Sequence, residues 1–182
     1  MSGVSDDQRG AATEAPYVGA SFEEVYRLEY APLVRLALVL TGRGDVAEEL
    51  VQDAFEAAHR RWNRLGGYDR PGAWLRRVVL NRCAGRHRRL RAEARALLRV
   101  AGQRTSTVDL GATDHELIAA IGRLPRRQAQ VVALVLIDDR SVEEVAGLLG
   151  CGQPTVRTHL RRGRLALAAD LGMQVPDDEE ER

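Results

Sequence analysis

The 182-residue sequence predicts an all-α protein: two small helical modules joined by a flexible linker. Three observations carry that reading. Apolar residues recur at three- and four-residue spacing over most of residues 21–171, while alternating β-branched runs are scarce. Helix-start signals repeat, at Ser21 with Glu24, at Asp45 with Glu48 and at Ser141 with Glu144. A stretch rich in Gly, Ser and Thr, 100–113, has weak periodicity and reads as the linker.

In the first module, residues 1–20 lack periodicity and are expected to form a disordered tail. From Ser21, Phe22, Val25, Glu29, Leu33, Leu36 and Leu40 follow at helical spacing, all apolar but Glu29. Pro32 lies inside this run and is expected to kink or split the helix, because proline lacks an N–H and clashes with the preceding turn. Thr41-Gly42-Arg43-Gly44 ends it. Val46, Leu50, Val51, Ala54, Phe55, Ala58, Trp62 and Leu65 then predict one amphipathic helix of about five turns. The Gly66–Gly72 loop breaks it. A third helix begins near Pro71, with Trp74, Leu75, Val78, Val79 and Cys83 on its apolar face, and runs into the basic 85–99 stretch.

The second module is expected over 114–171. Leu117, Ile118, Ile121 and Leu124 make a helix that stops at Pro125, whose ring suits the first turn of the next, carrying Val131, Val132, Leu134 and Val135. Asp138-Asp139-Arg140 turns the chain. Val142, Val145, Ala146, Leu148 and Leu149 form a short helix, Gly150-Cys151-Gly152 a tight turn, and Val156, Leu160, Leu165 and Leu167 the inward face of a last helix. An acidic tail, 172–182, closes the sequence.

Charge narrows the function. The formal net charge is +1, with 27 Arg and no Lys, yet the charges are segregated. Residues 60–99 hold 13 Arg against 2 acids, and 153–169 hold 4 Arg and no acid. Two basic blocks in an otherwise acidic chain point to a polyanion partner. No apolar run approaches the ~18 residues that span a bilayer, and no apolar signal segment opens the chain. Cys83 and Cys151 cannot build a disulfide framework and read as small core residues. The four His lack metal-ligand spacing, and phosphate-loop, dinucleotide and nucleophile-elbow motifs are absent. The expectation is a cytoplasmic protein that is not an enzyme and uses no metal or other cofactor.

The segment Ser141–Ala168 has the pattern of a helix-turn-helix. With Val156 and Leu160 inward, the second helix presents Arg157, Thr158, Arg161, Arg162 and Arg164 outward. Arginine forks pair with guanine in the major groove, and threonine takes bases or phosphates. Gln153 and Thr155 stand at the helix N-terminus, where free N–H groups favour phosphate. Gly163, inside this helix, is expected to cost about 1 kcal/mol relative to Ala. The first basic block combines Arg with Trp62, Tyr68 and Trp74; both Trp lie on apolar stripes and read as core rings. The acid-rich start of the second helix, with Asp45, Glu48, Glu49, Asp53 and Glu56, fits either charge matched to the helix dipole or a docking face for a basic partner.

These segments carry a resemblance. GDVAEELVQDAFEAAHRRW resembles region 2.2 of the extracytoplasmic-function (ECF, group IV) RNA polymerase sigma factors, nearest in style to an actinobacterial sigma-E-like subgroup. PGAWLRRVVLNRCAGRHRR resembles their region 2.3–2.4 helix, and LPRRQAQVVALVLIDDRSVEEVAGLLGCGQPTVRTHLRRGRLAL their region 4. The resemblance implies that 21–99 is region 2 and 114–171 region 4. It implies core polymerase as partner: Glu48, Glu49, Leu50, Gln52 and Asp53 would dock on the β′ clamp helices, and the apolar Val131–Leu136 helix would face the β flap. It implies that promoter DNA is bound both as duplex and melted. Tyr68 in the Leu65–Gly72 loop, with Arg76, Arg77, Asn81 and Arg86, would read the minus-ten element, and the basic face of the last helix the minus-thirty-five element. The free protein is expected to be a monomer without membrane insertion, and an anti-sigma partner stays open. The competing reading is a helix-turn-helix regulator that binds duplex on its own.

Overall fold

The computed structural model describes the backbone of residues 20–67, 70–96 and 112–173, with side chains for 20–67, 70–86 and 114–173. Eight helices follow in order: α1 Phe22–Thr41, α2 Gly44–His59, α3 Trp62–Leu65, α4 Pro71–Ala96, α5 Ala112–Arg123, α6 Arg126–Leu136, α7 Val142–Leu149 and α8 Gln153–Leu171. The described residues contain no strand.

Local chemistry sets most boundaries. At the head of α1 the Glu24 N–H donates to Ser21 Oγ (3.2 Å) and the Ser21 N–H donates back to the Glu24 carboxylate (2.8 Å), so two otherwise free donors are satisfied. The same reciprocal pair, Ser141 and Glu144, opens α7. Gly42, Gly150 and Gly172 end α1, α7 and α8 at φ between 64° and 69°, a conformation that costs a residue with a Cβ and that glycine adopts freely. Pro125 stops α5 and caps α6 without donating a bond.

Two element expectations are corrected. α1 runs unbroken through Pro32. The ring removes one N–H, and the residue one turn before it, Leu28, is exposed, so its carbonyl can turn toward water. The predicted five-turn second helix divides instead. α2 ends at His59, the Arg61 N–H closes a tighter turn onto the Ala58 carbonyl (3.0 Å), and α3 restarts at Trp62. The turn swings the indole onto Phe22, edge to face at 5.2 Å, and Phe22 also meets Phe55 at 6.1 Å. Trp62 and Trp74 both pack on the core, as their stripes suggest. The C-terminal helices begin at Ala112, two residues before the expected start.

The N-terminal module packs α1 against α2 and α4; the C-terminal module packs α8 against α5, α6 and α7. The two are not beads on a string. α1 also packs on α5 and α6, and α4 on α7, so one apolar cluster runs from Val25, Leu36 and Val79 through Ile121, Val131 and Leu134 to Val156. Each fully buried aliphatic side chain of this kind contributes roughly 1.5–3 kcal/mol. Leu40, Cys83 and Ala84 of one module and Ile121, Leu124 and Ala129 of the other line a small cavity at the seam.

Candidate nucleic-acid interface

α7, its glycine turn and α8 form the helix-turn-helix. Val145, Ala146, Val156 and Leu160 are buried between its helices. The close approach of α8 to α6 rests on Gly163: a Cβ there would stand 2.5 Å from Val132 Cγ2. On the opposite face Gln153, Thr155, Arg157, Thr158, Arg161, Arg162 and Arg164 are all exposed. Among the described residues no carboxylate forms an ion pair with these four arginines. Thr158 already donates its hydroxyl to the Pro154 carbonyl (2.9 Å), leaving its oxygen free to accept. Leu165, expected inward, is 46 % exposed; Leu167 takes the buried position. A register of 160, 163 and 167 buries Gly163 and turns 165 outward.

The predicted minus-ten residues are not equivalent. Asn81 is exposed on α4 and Arg86 half-buried. Arg86 stands 3.9 Å from Glu49. Tyr68 lies outside the described residues. Arg77 is exposed but engaged: it donates to the Gly147 carbonyl (2.7 Å) and toward the Leu148 carbonyl (3.4 Å) at the C-terminal end of α7. Arg76, expected on a nucleic-acid face, is 2 % exposed and interior in this arrangement. Its guanidinium forks onto Asp138 (Nε to Oδ2 2.7 Å, Nη2 to Oδ1 3.3 Å) and its Nη1 stands 2.8 Å from Glu29. Burial works against the charge, but the Asp138 hydrogen bond and the Glu29 and Asp138 carboxylates outweigh it and hold Arg76 above the usual arginine range. A Cβ on Gly72 would overlap the Glu29 carboxylate and Arg76 Nη1, so a larger residue where α4 begins would have to push this ion pair aside.

The acidic face of α2 divides similarly. Glu48, Glu49 and Gln52 are exposed. Asp53 accepts from Arg82 Nη1 (2.5 Å) and its main-chain carbonyl from Nη2 (3.3 Å). Leu50, expected to dock, is 8 % exposed and belongs to the core, because its position on the amphipathic stripe faces inward. Of the predicted flap-facing segment, Val131 to Leu134 are buried and Leu136 is exposed. Burial pushes the Cys83 thiol up to about 12, and Cys151 is half-buried against the core. Among the described residues no group of His, Cys, Asp or Glu could hold a metal ion, and no helix is long and apolar enough to cross a membrane.

The residues missed by the sequence reading are Glu29 and Asp138. Glu29 carried a signal: it is the one charge on the apolar stripe of α1. A buried carboxylate requires a partner, and Arg76 supplies it.

Comparison with known proteins fits this architecture. Residues 25–93 match the family described as sigma-70 region 2, and 114–167 the family described as sigma-70, region 4. The chain is 31 % identical over 155 residues to the ECF RNA polymerase sigma factor SigM of Mycobacterium tuberculosis, covering 84 % of this chain and 78 % of that one. It is 31 % identical over 156 residues to the RNA polymerase sigma-E factor of Streptomyces avermitilis, covering 82 % and 84 %. The sigma factor RpoE of Bartonella quintana, solved with the anti-sigma factor NepR, shares the fold at TM-score 0.67 and 23 % identity, over 85 % of this chain and 98 % of that one. CnrH, solved with the cytosolic domain of CnrY, does so at 0.61 and 23 %, over 86 % and 92 %. With both sigma regions in order on one chain, the protein belongs to the ECF RNA polymerase sigma factors, which bind core polymerase and direct it to promoters.

Proposed function

We propose a division of this work among the elements. The α8 face of Gln153, Thr155, Arg157, Thr158, Arg161, Arg162 and Arg164 reads the minus-thirty-five duplex; Asn81 and Arg86, with Tyr68 of the preceding loop, serve the minus-ten element. Glu48, Glu49 and Gln52 of α2 dock on the polymerase clamp, and exposed Leu136 helps meet the flap. The observation that carries this reading is the acid-free, fully exposed α8 face beside a helix-turn-helix core. Free arginine forks suit guanine edges and phosphates equally, so some of the seven residues position the helix and others specify sequence.

The chain performs no bond chemistry in this reading and acts in the cytoplasm, where polymerase works. The solved relatives bound to an anti-sigma factor and to a cytosolic protein domain make a protein antagonist a natural further partner.

The test is reconstituted run-off transcription with core polymerase and a genomic fragment library. Discrete starts that share two upstream elements are expected. Absence of stimulation, with tight binding of the chain alone to duplex fragments, would replace this reading by an independent helix-turn-helix regulator.

A further inference from the structure

The C-terminal half of α8 carries a surface that promoter reading does not use. Arg157, Arg161, Leu165 and Ala169 stand one helical turn apart and share an outward row, and Met173 follows just past the helix end. Leu165 is 46 % exposed and Met173 65 %. Ala166 and Ala169 beside them are exposed as well. From its C-terminal end the row is first apolar and then basic, with Arg162 and Arg164 flanking the basic part. Phosphate gains nothing from apolar side chains, so Leu165 and Met173 point to a different neighbour.

The sequence that follows has the complementary order. Residues 174–182 lie outside the described residues; after Gln174 come two apolar residues, Val175 and Pro176, and then five consecutive acids, Asp177 to Glu181. The exit from α8 suits a return over the helix. Gly172 takes the left-handed conformation at φ 65°, and its N–H and that of Met173 both close on the Ala168 carbonyl, so the chain leaves the helix axis there. The lengths match. At about 3.3 Å per extended residue, Val175 and Pro176 lie about 7–10 Å back from Met173, Asp177 about 13 Å and Glu181 about 26 Å. At 1.5 Å rise per helical residue, Ala169 and Leu165 lie about 6 and 12 Å back, Arg164 about 13 Å and Arg157 about 24 Å. Laid antiparallel on α8, the segment sets apolar on apolar and acid on arginine.

We propose that the acidic C-terminal segment folds back over α8, with Val175 and Pro176 on Leu165 and Ala169 and its carboxylates on the arginine face, and holds the place of promoter phosphate in the free protein. The inference rests on the function proposed above for the identity of the competitor; the contact itself rests on order, charge and reach. The fork that grips a phosphate grips a carboxylate in the same way. A tether of a few residues keeps the acids at an effective concentration of about millimolar. Each exposed arginine–carboxylate pair is nevertheless weak and screened by salt. The segment therefore keeps stray duplex off α8 and yields to a promoter held in place by core polymerase, which offers many phosphates at once.

The test compares the full wild-type chain with a full-length variant in which the segment is neutralised: Asp177→Asn, Asp178→Asn, Glu179→Gln, Glu180→Gln and Glu181→Gln. Amide NMR of the free chains is expected to show shift changes along the outward row of α8; changes confined to 174–182 would overturn the contact. The probe for competition is a short mixed-sequence duplex without polymerase. The neutralised chain is expected to bind it at low salt about fivefold or more tighter than wild type, with the difference shrinking as salt rises. A charge-matched control removes five exposed acids outside the segment, by Glu23→Gln, Glu56→Gln, Asp114→Asn, Glu116→Gln and Glu143→Gln. It is expected to gain less than half as much; an equal gain, or equal affinity of wild type and neutralised chain, would overturn the competition. Wild-type run-off is measured in parallel. Shifts on α8 without discrete transcript starts leave the folded-back segment standing and the promoter reading fallen; discrete starts with α8 unshifted do the reverse.

Discussion

Gly163 of α8 lies directly against Val132 of α6: a Cβ at 163 would stand 2.5 Å from Val132 Cγ2. Val132 is fully buried and β-branched, so it cannot swing aside. Helix propensity favours Gly163→Ala by about 1 kcal/mol, while overpacking a dense core costs ~1–3 kcal/mol. Overpacking wins, and Gly163→Ala is expected to lower unfolding stability in urea; a higher midpoint would mean that the two helices are farther apart than described.

Arg157 and Arg161 separate sequence reading from anchoring. Replacing a guanine-reading arginine by Ala is expected to cost ~1–3 kcal/mol on the preferred promoter and to relax one base position. Replacing a phosphate contact instead weakens all sequences alike and reduces the salt slope by about one. Binding of the holoenzyme to a set of single-base promoter variants at two salt concentrations decides for each residue.

Docking on polymerase is best probed at Glu49. It is exposed and stands only at the 3.9 Å edge of an ion pair with Arg86, whereas Asp53 is gripped by Arg82 at 2.5 Å. Glu49→Arg is expected to weaken core-polymerase affinity at least several-fold with helical content intact, an effect that grows as salt is lowered. Equal affinity in a titration with core polymerase removes α2 from the interface. Asp53→Arg would set two like charges together and confuse docking with folding.

The α7 capping box makes stability depend on acid. Burial raises the Glu144 pKa, but the Ser141 N–H and hydroxyl and Arg140 lower it further, so the carboxyl sits below its ordinary 4.5 when folded. Its contribution is therefore present above about 4.5 and is lost as pH falls through the lower folded value. Ser141→Ala is expected to cost ~0.5–2 kcal/mol at pH 7 and to flatten the stability curve below pH 4.5, because the unfolded reference is unchanged. Thermal melts from pH 3 to 7 show whether the two curves converge at the acid end.

Thiol chemistry reports on the seam. The Cys83 thiol, pushed up to about 12 by burial, is almost entirely protonated at pH 8, and thiolate is the nucleophile. Alkylation of the native chain is expected to mark half-buried Cys151 first and Cys83 only on opening. Mass spectrometry after a short iodoacetamide pulse gives the order; simultaneous labelling would place Cys83 nearer the surface.

Much of this was legible in the sequence, for identifiable reasons. Ser21, Gly42, Ser141 and Gly150 act through neighbours within a turn or so, and local chemistry reads directly from spacing. The outward face of α8 followed once Val156 and Leu160 were inward. The differences came where distant residues decide. The α2–α3 break depends on Phe22 drawing Trp62 across, and Pro32 survives because its side of α1 meets water. Arg76 and Leu50 sit where spacing allows two assignments, and only packing chooses: Asp138, 62 residues from Arg76, takes one inward. Gly163 looked like a helix defect until Val132 gave it a function.

The ion pairs of Arg76 at the seam bear on protein engineering. A module cut at the linker keeps a counter-charge beside each buried charged group, with Glu29 still beside Arg76 in one half and Arg140 beside Asp138 and Glu144 in the other. Domain exchange between relatives then meets no electrostatic veto at the graft. A hybrid that pairs this N-terminal half with a foreign promoter-reading half would recombine recognition elements as interchangeable parts.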